Sequence, residues 1–119
     1  MFTRAKKLSE WLFIATKNAN KLYRWSIIDK LLNSSLNLIN LLYLANSHYL
    51  PNKRLKYQKQ ANAELMIISH LMVTGKKLEV FTIKQLDFAS GMLLETRNSL
   101  WAWITTNPAH KEEVAASRE

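Results

Sequence analysis

Between Ala61 and Trp103, apolar and small residues recur at alternating steps of three and four. Ala61, Leu65, Ile68, Met72 and Gly75 form one set; Leu86, Ala89, Leu93, Thr96, Leu100 and Trp103 form a second. An α-helix turns once in 3.6 residues, so each set falls on one stripe of a helix. Between the sets, Thr82 and Gln85 have the T-x-x-Q spacing of a capping box, and Phe81 and Leu86 occupy the N′ and N4 positions of a hydrophobic staple. Both devices place a helix start near Ile83. The stretch predicts a helical hairpin, and from it an all-α antiparallel four-helix bundle over residues 1–108.

Upstream, Leu8, Leu12, Ala15, Ala19 and Leu22 lie close to helical spacing beside Trp11, predicting a first helix from about Arg4 to Lys17. No Gly or Pro breaks the chain before Pro51. A boundary near Asn18-Ala19-Asn20, with Asn18 or Asn20 as cap, therefore stands beside a single bent rod as the alternative. The second helix, from about Leu22 to His48, is unusual: no Lys, Arg, Asp or Glu occurs from Leu31 to Asn52. That run would extend about 30 Å as a helix, the thickness of a bilayer core. Its many Asn and Ser residues, Asn33, Ser34, Ser35, Asn37, Asn40, Asn46 and Ser47, argue against a membrane span. Lys30, Asn33, Asn37, Asn40 and Ser47 form a narrow polar stripe interrupted by Leu44, and the rest is Leu, Ile and Tyr. A helix so apolar is usually enclosed. Leu36, Asn37, Asn40, Leu41, Tyr43 and Leu44, with Trp101, are therefore the expected surface for another subunit or protein. Self-association is favoured over the alternative, the central helix of a compact monomer.

Pro51 ends that segment and Asn52 is the expected N-cap of a third helix. Lys53, Arg54 and Lys56 follow in its first turn, with Tyr57 among them and Lys59 one turn later. Cations at a helix N-terminus oppose the macrodipole, at about 0.3–1 kcal/mol each, and a bound anion would offset the cost. Tyr57 is placed to stack on a base or sugar; the alternative is a well-solvated basic turn. Lys76 and Lys77 sit where the third helix ends, a position that favours cations. Gly91 on the fourth helix suggests close packing. Trp101 and Trp103 are anchors for the core or an interface, and Asn107-Pro108 stops the helix. The polar remainder, 109–119, is expected to be disordered.

Charge extends this picture. The chain holds 17 basic and nine acidic residues, a net charge of +8, and with 110 residues counted the excess is +9. Such an excess fits a polyanion: RNA, DNA or an acidic membrane. Arg24, Lys30, Lys53, Arg54, Lys56, Tyr57, Lys59, Lys76, Lys77 and Lys84 are the candidate nucleic-acid contacts. The absence of cysteine excludes disulfides and thiolate metal sites and makes the cytoplasm the expected compartment. The amino-terminal apolar run, Trp11 to Ala15, is too short for a signal peptide and reads as part of an amphipathic helix.

No catalytic constellation emerges, and neither a metal nor another cofactor is expected. His48, His70 and His110 fall on different elements; His70 is read as partly buried. Glu64 and Glu95 are read as partners of Arg97 or a lysine rather than as an acid–base pair. No phosphate-cradling glycine loop or nucleophile motif occurs. The expectation is a protein without enzymatic activity.

The chain also resembles the accessory variability determinant (Avd) proteins of diversity-generating retroelements, within a wider group of four-helix-bundle proteins that includes those encoded in ribosomal RNA intervening sequences. The resemblance covers roughly residues 22–104. Arg24-Trp25-Ser26-Ile27-Ile28-Asp29-Lys30-Leu31 resembles the family's R-x-[ST]-[LI]-x-x-[KR]-L opening of its long helix, and Ala45 matches a small residue near that helix's end. Gln60-Ala61-Asn62 with Leu65 resembles the next helix. Leu78 and Phe81-Thr82-Ile83-Lys84-Gln85-Leu86 resemble the connector, and Glu95 and Trp103 match its late E and W. The chain departs at Val73, where the family often has Arg, and at Trp101-Ala102, where it has Gly-Gly. The resemblance implies a homopentameric barrel that binds the element's reverse transcriptase and a structured template RNA or RNA/DNA hybrid, supporting cDNA synthesis in mutagenic retrohoming. The competing expectation is an interaction protein of the intervening-sequence type, oligomeric and without specific RNA binding. A third, peripheral membrane binding through residues 4–15, is the weakest.

Overall fold

The computed structural model describes residues 1–19 and 21–118, without the side chains of Lys21, Arg24 and Trp25. Among the described residues the chain is helical throughout: α1 (Phe2–Thr16), a 3-10 turn (Lys21–Tyr23), a π-helical turn (Arg24–Ile28), α2 (Asp29–Ser47), α3 (Pro51–Lys77), α4 (Ile83–Thr105) and α5 (Pro108–Ser117). The first two expected helices are thus separate, because α1 ends at Thr16 and regular α-helix resumes only at Asp29. Asn20, one of the two expected caps there, lies outside the described residues.

Side-chain contacts fix how the helices run. Phe2 meets Tyr43 with ring centroids 5.0 Å apart, and Ser9 Oγ lies 3.2 Å from Ser35 Oγ, so α1 and α2 are antiparallel. Asn37 bonds Glu64 and His48 stacks on Tyr57, which sets α3 antiparallel to α2. Arg4 pairs with Glu95 and Trp11 packs on Phe88, so α4 returns alongside α1. With α3 packed on α4 as well, the four helices close into a ring. The molecule measures 49 × 28 × 21 Å. Leu8, Leu12, Ile28, Leu31, Leu38, Leu42, Ile68, Met72 and Leu100 fill its axis, all fully buried.

The hairpin forms as its spacing predicts. Ala61, Leu65, Ile68, Met72 and Gly75 are all buried, as are Ala89, Leu93, Thr96 and Leu100. Both capping-box bonds are made: Gln85 N donates to Thr82 Oγ1 at 3.1 Å, and Thr82 N to Gln85 Oε1 at 2.9 Å. Just before the box, Val80 N donates to Gly75 O and Glu79 N to Lys76 O. These two bonds close α3 in a Schellman motif with Glu79, at φ 63°, in the left-handed position usually held by glycine.

Four expectations need correction. Asn52 is not the N-cap of α3; Pro51 is its first residue and Leu50 the cap, because a proline lacks the N–H that this position would leave unbonded. Gly91 is not in close packing, since a Cβ built on it would meet nothing within 4 Å. The 109–119 tail is not disordered over its helical part: Asn107 Oδ1 accepts from Ala109 N and starts α5 at Pro108. Finally, the charge-free helix is largely covered within the chain. α2 lies between α1 and α3, burying Leu31, Leu32, Ser35, Leu38, Leu41, Leu42 and Ala45, while Lys30, Asn33, Asn37, Asn40 and Ser47 face solvent. A helix flanked by two neighbours presents only a narrow edge, on which Leu36 and Tyr43 stand about half exposed among the Asn and Ser residues.

Candidate nucleic-acid interface

The antiparallel ring sorts the expected contacts into two groups at opposite ends of the bundle. At one end lie the close of α1, the starts of α2 and α4, and the close of α3. This connector end brings together Lys30, Lys76, Lys77 and Lys84. Arg24 precedes α2 there, but its side chain lies outside the described residues. Lys53, Arg54, Lys56, Tyr57 and Lys59 lie toward the other end, where α3 begins.

At the connector end no described lysine forms an ion pair, although Asp29 and Asp87 lie on α2 and α4 and Glu79 in the turn between α3 and α4. Lys76 and Lys77 occupy the last turn of α3 and complement its dipole. Lys30 and Lys84 have the opposite relation, each in the first turn of its helix. Lys17, exposed just beyond α1, joins this set. It was not among the expected contacts, because nothing in sequence spacing relates it to residues 60 positions away. Only the fold brings these ends together.

At the α3 start the structure divides the cluster. Arg54 is part-buried: Nε donates to His48 O at 2.8 Å and to Ala45 O at 3.2 Å, and the guanidinium lies 5.6 Å from the Trp103 ring centroid. It therefore closes the C-terminus of α2, which has no basic residue in its own last turn. The unfavourable dipole of α3 is offset for this residue by the favourable one of α2. Tyr57 is half-buried against the core, and His48 stacks on it at 5.2 Å and 11°. His48 thus takes one face of the ring, and Lys56 Nζ lies 5.9 Å from its centroid. Lys59 Nζ pairs with Glu113 of α5 at 2.7 Å. Lys53 and Lys56 remain exposed, without ion pairs among the described residues.

The expected partner surface also changes. Leu41 is 7% exposed and belongs to the core. Leu44 is half-buried against it, Tyr43 packs on Phe2 under Lys6, and Asn37 donates to Glu64. Leu36, Asn37, Asn40 and Tyr43 stay exposed. Trp101 is exposed and meets His110 edge-on. A groove of about 480 Å³ also runs between α3 and α4, lined by Leu65, Met66, Val73, Leu93, Leu94 and Arg97. His70, expected to be partly buried, is exposed along that groove. Glu64 and Glu95 turn to Asn37 and Arg4 rather than to Arg97 or a lysine.

No described group of three or more His, Cys, Asp or Glu residues could hold a metal ion. No helix among the described residues is long and apolar enough to cross a membrane. The chain matches no protein-family model, no curated protein and no solved structure.

Proposed function

We propose that this protein is a non-catalytic nucleic-acid-binding accessory protein that engages RNA through the lysines at the connector end of its helical bundle. The observation that carries the reading is the set Lys17, Lys30, Lys76, Lys77 and Lys84, held at one end with no carboxylate among the described residues ion-paired to any of them. Uncompensated lysines on rigid helix ends suit contact with a phosphate backbone. Lys53 and Lys56 supply further contacts at the opposite end. The Avd resemblance adds the biological setting: association with a retroelement reverse transcriptase and its structured template RNA during cDNA synthesis, as a homopentamer in the cytoplasm. The test is binding of a structured RNA across a salt series. The slope of log affinity on log salt is expected to be strongly negative, and Lys76→Gln, Lys77→Gln and Lys84→Gln together should reduce it by about 0.7–0.9 per lost contact. Affinity indifferent to salt would remove the proposal.

One observation favours a second reading, that of a self-associating interaction protein. Met66, Leu94 and Trp101 on the α3–α4 face are 63%, 56% and 54% exposed. Arg97 there has no ion pair among the described residues, and the outer side of α1 presents Glu10 beside exposed Phe13 and Ile14. A second copy's α1 thus offers apolar side chains to the groove, with Glu10 within reach of Arg97. This reading transfers the self-association surface from α2 to the hairpin.

A further inference from the structure

We propose that α5 is a built-in competitor for the phosphate-binding face at the start of α3, with Glu113 occupying Lys59 until a polyanion displaces it. The inference rests on the nucleic-acid reading above and concerns the regulation of that basic surface. Lys53, Lys56 and Lys59 follow at steps of three along α3, and all are exposed. Among the described residues, Lys59 alone of the three is ion-paired: its Nζ donates to both carboxylate oxygens of Glu113, at 2.7 and 3.0 Å. Two oxygens converging on one ammonium are what a phosphate group would also offer. Glu112 on the same helix adds a second negative charge without a described partner.

The helix that delivers Glu113 is weakly held. α5 spans ten residues, below the length at which an isolated helix persists in water. Only Ala109 of α5 is buried; His110 and Val114 are half-buried. The Lys59–Glu113 pair has both side chains about half exposed, so solvent and salt screen it. The anchor before α5 is firmer. Asn107 is buried, and its Nδ2 donates to Pro51 O at 3.1 Å and to Gln58 Oε1 at 3.0 Å. Asn107 can therefore stay fixed while α5 beyond it lifts away, a local opening of low cost. Competition for Lys59 is reciprocal: RNA binding loosens α5, and loosening α5 strengthens RNA binding.

The experiment compares the full-length protein with Glu113→Gln, Glu112→Gln and Lys59→Gln variants and the Lys59→Gln/Glu113→Gln pair. The probe is an RNA stem-loop of about 20 nucleotides, studied over a salt series. Glu112→Gln removes the same charge from the same helix but frees no lysine, and so controls for long-range electrostatics. Glu113→Gln is expected to bind about threefold more tightly than Glu112→Gln, with a slope on log salt steeper by about 0.7–0.9. Lys59→Gln is expected to weaken binding in the Glu113→Gln background and to leave it almost unchanged in the wild-type chain. Amide exchange over residues 110–117 should rise when RNA is added. If the two glutamate variants bind alike, or Lys59→Gln costs the same in both backgrounds, the competition is overturned and the nucleic-acid reading survives. If neither the wild-type chain nor any variant binds with salt dependence, the nucleic-acid reading falls and the competition falls with it.

Discussion

A Cβ placed on Gly75 would stand 2.7 Å from Cδ2 and 2.8 Å from Cε2 of Phe81, whereas on Gly91 it would meet open space. The two glycines therefore answer to different causes. Gly75 lets the buried Phe81 ring lie against the backbone of α3, and Gly91 only loosens an exposed turn of α4. Gly75→Ala should destabilise the fold by about 1–3 kcal/mol through overpacking. Gly91→Ala should stabilise it by about 0.5–1 kcal/mol through helix propensity. Urea unfolding of the two variants checks both signs. Glu79 presents the reverse case, a side chain in the left-handed region at φ 63°. That conformation costs a non-glycine residue about 1–2 kcal/mol. Glu79→Gly should raise the melting temperature by the part of that cost which exceeds glycine's greater unfolded-state entropy, about 0.5–1 kcal/mol in equivalent stability. The spacing of Ala61 to Gly75 disclosed that Gly75 lay on the buried stripe; that Phe81 presses on it was legible only in three dimensions.

At the scale of elements, the connection between α2 and α3 depends on a residue that reads in sequence as one more cation in a basic turn. Arg54 binds the carbonyls of Ala45 and His48 and covers Trp103, joining α2, α3 and α4. Arg54→Gln should cost about 1–3 kcal/mol in urea unfolding, the usual worth of hydrogen bonds from a charged donor with their packing. Lys56→Gln, on an exposed side chain two residues away, should stay within about 0.5 kcal/mol of the parent. Equal losses would place Arg54 among the solvated cations. The same reasoning explains why α5 was not legible. Its polar composition gives no apolar stripe, and its formation depends on the Asn107 cap and on the flanks of α3 and α4.

Across the whole molecule, the ring of four helices redistributes both apolar surface and charge. α2 loses most of its apolar face to α1 and α3, and an exposed groove lies on the α3–α4 hairpin. If copies of the chain associate through that groove, Leu94→Glu should lower the mass measured by light scattering, while Leu36→Glu on α2 should leave it unchanged. The opposite pattern would restore α2 as the contact surface. An exposed apolar patch of this kind is where association energy is available, because removing it from water is favourable by about 25 cal/mol per Å². Charge is redistributed by the same closure. Lysines scattered from Lys17 to Lys84 meet at one end, whereas the contiguous run Lys53 to Lys59 separates into a helix cap, an ion pair and two exposed lysines without a carboxylate partner among the described residues.

What residue order alone determined is the part governed by local rules. Helical periodicity, the Thr82–Gln85 box and the scarcity of glycine and proline specify helices and their buried stripes, because those depend on neighbours within about one turn. The basic excess is likewise a property of composition. The tertiary structure decided which helices shield one another, which lysines are left without a carboxylate, and that α5 folds back on Lys59. Those outcomes depend on contacts between residues tens of positions apart, and their energies exist only once the chain has closed on itself.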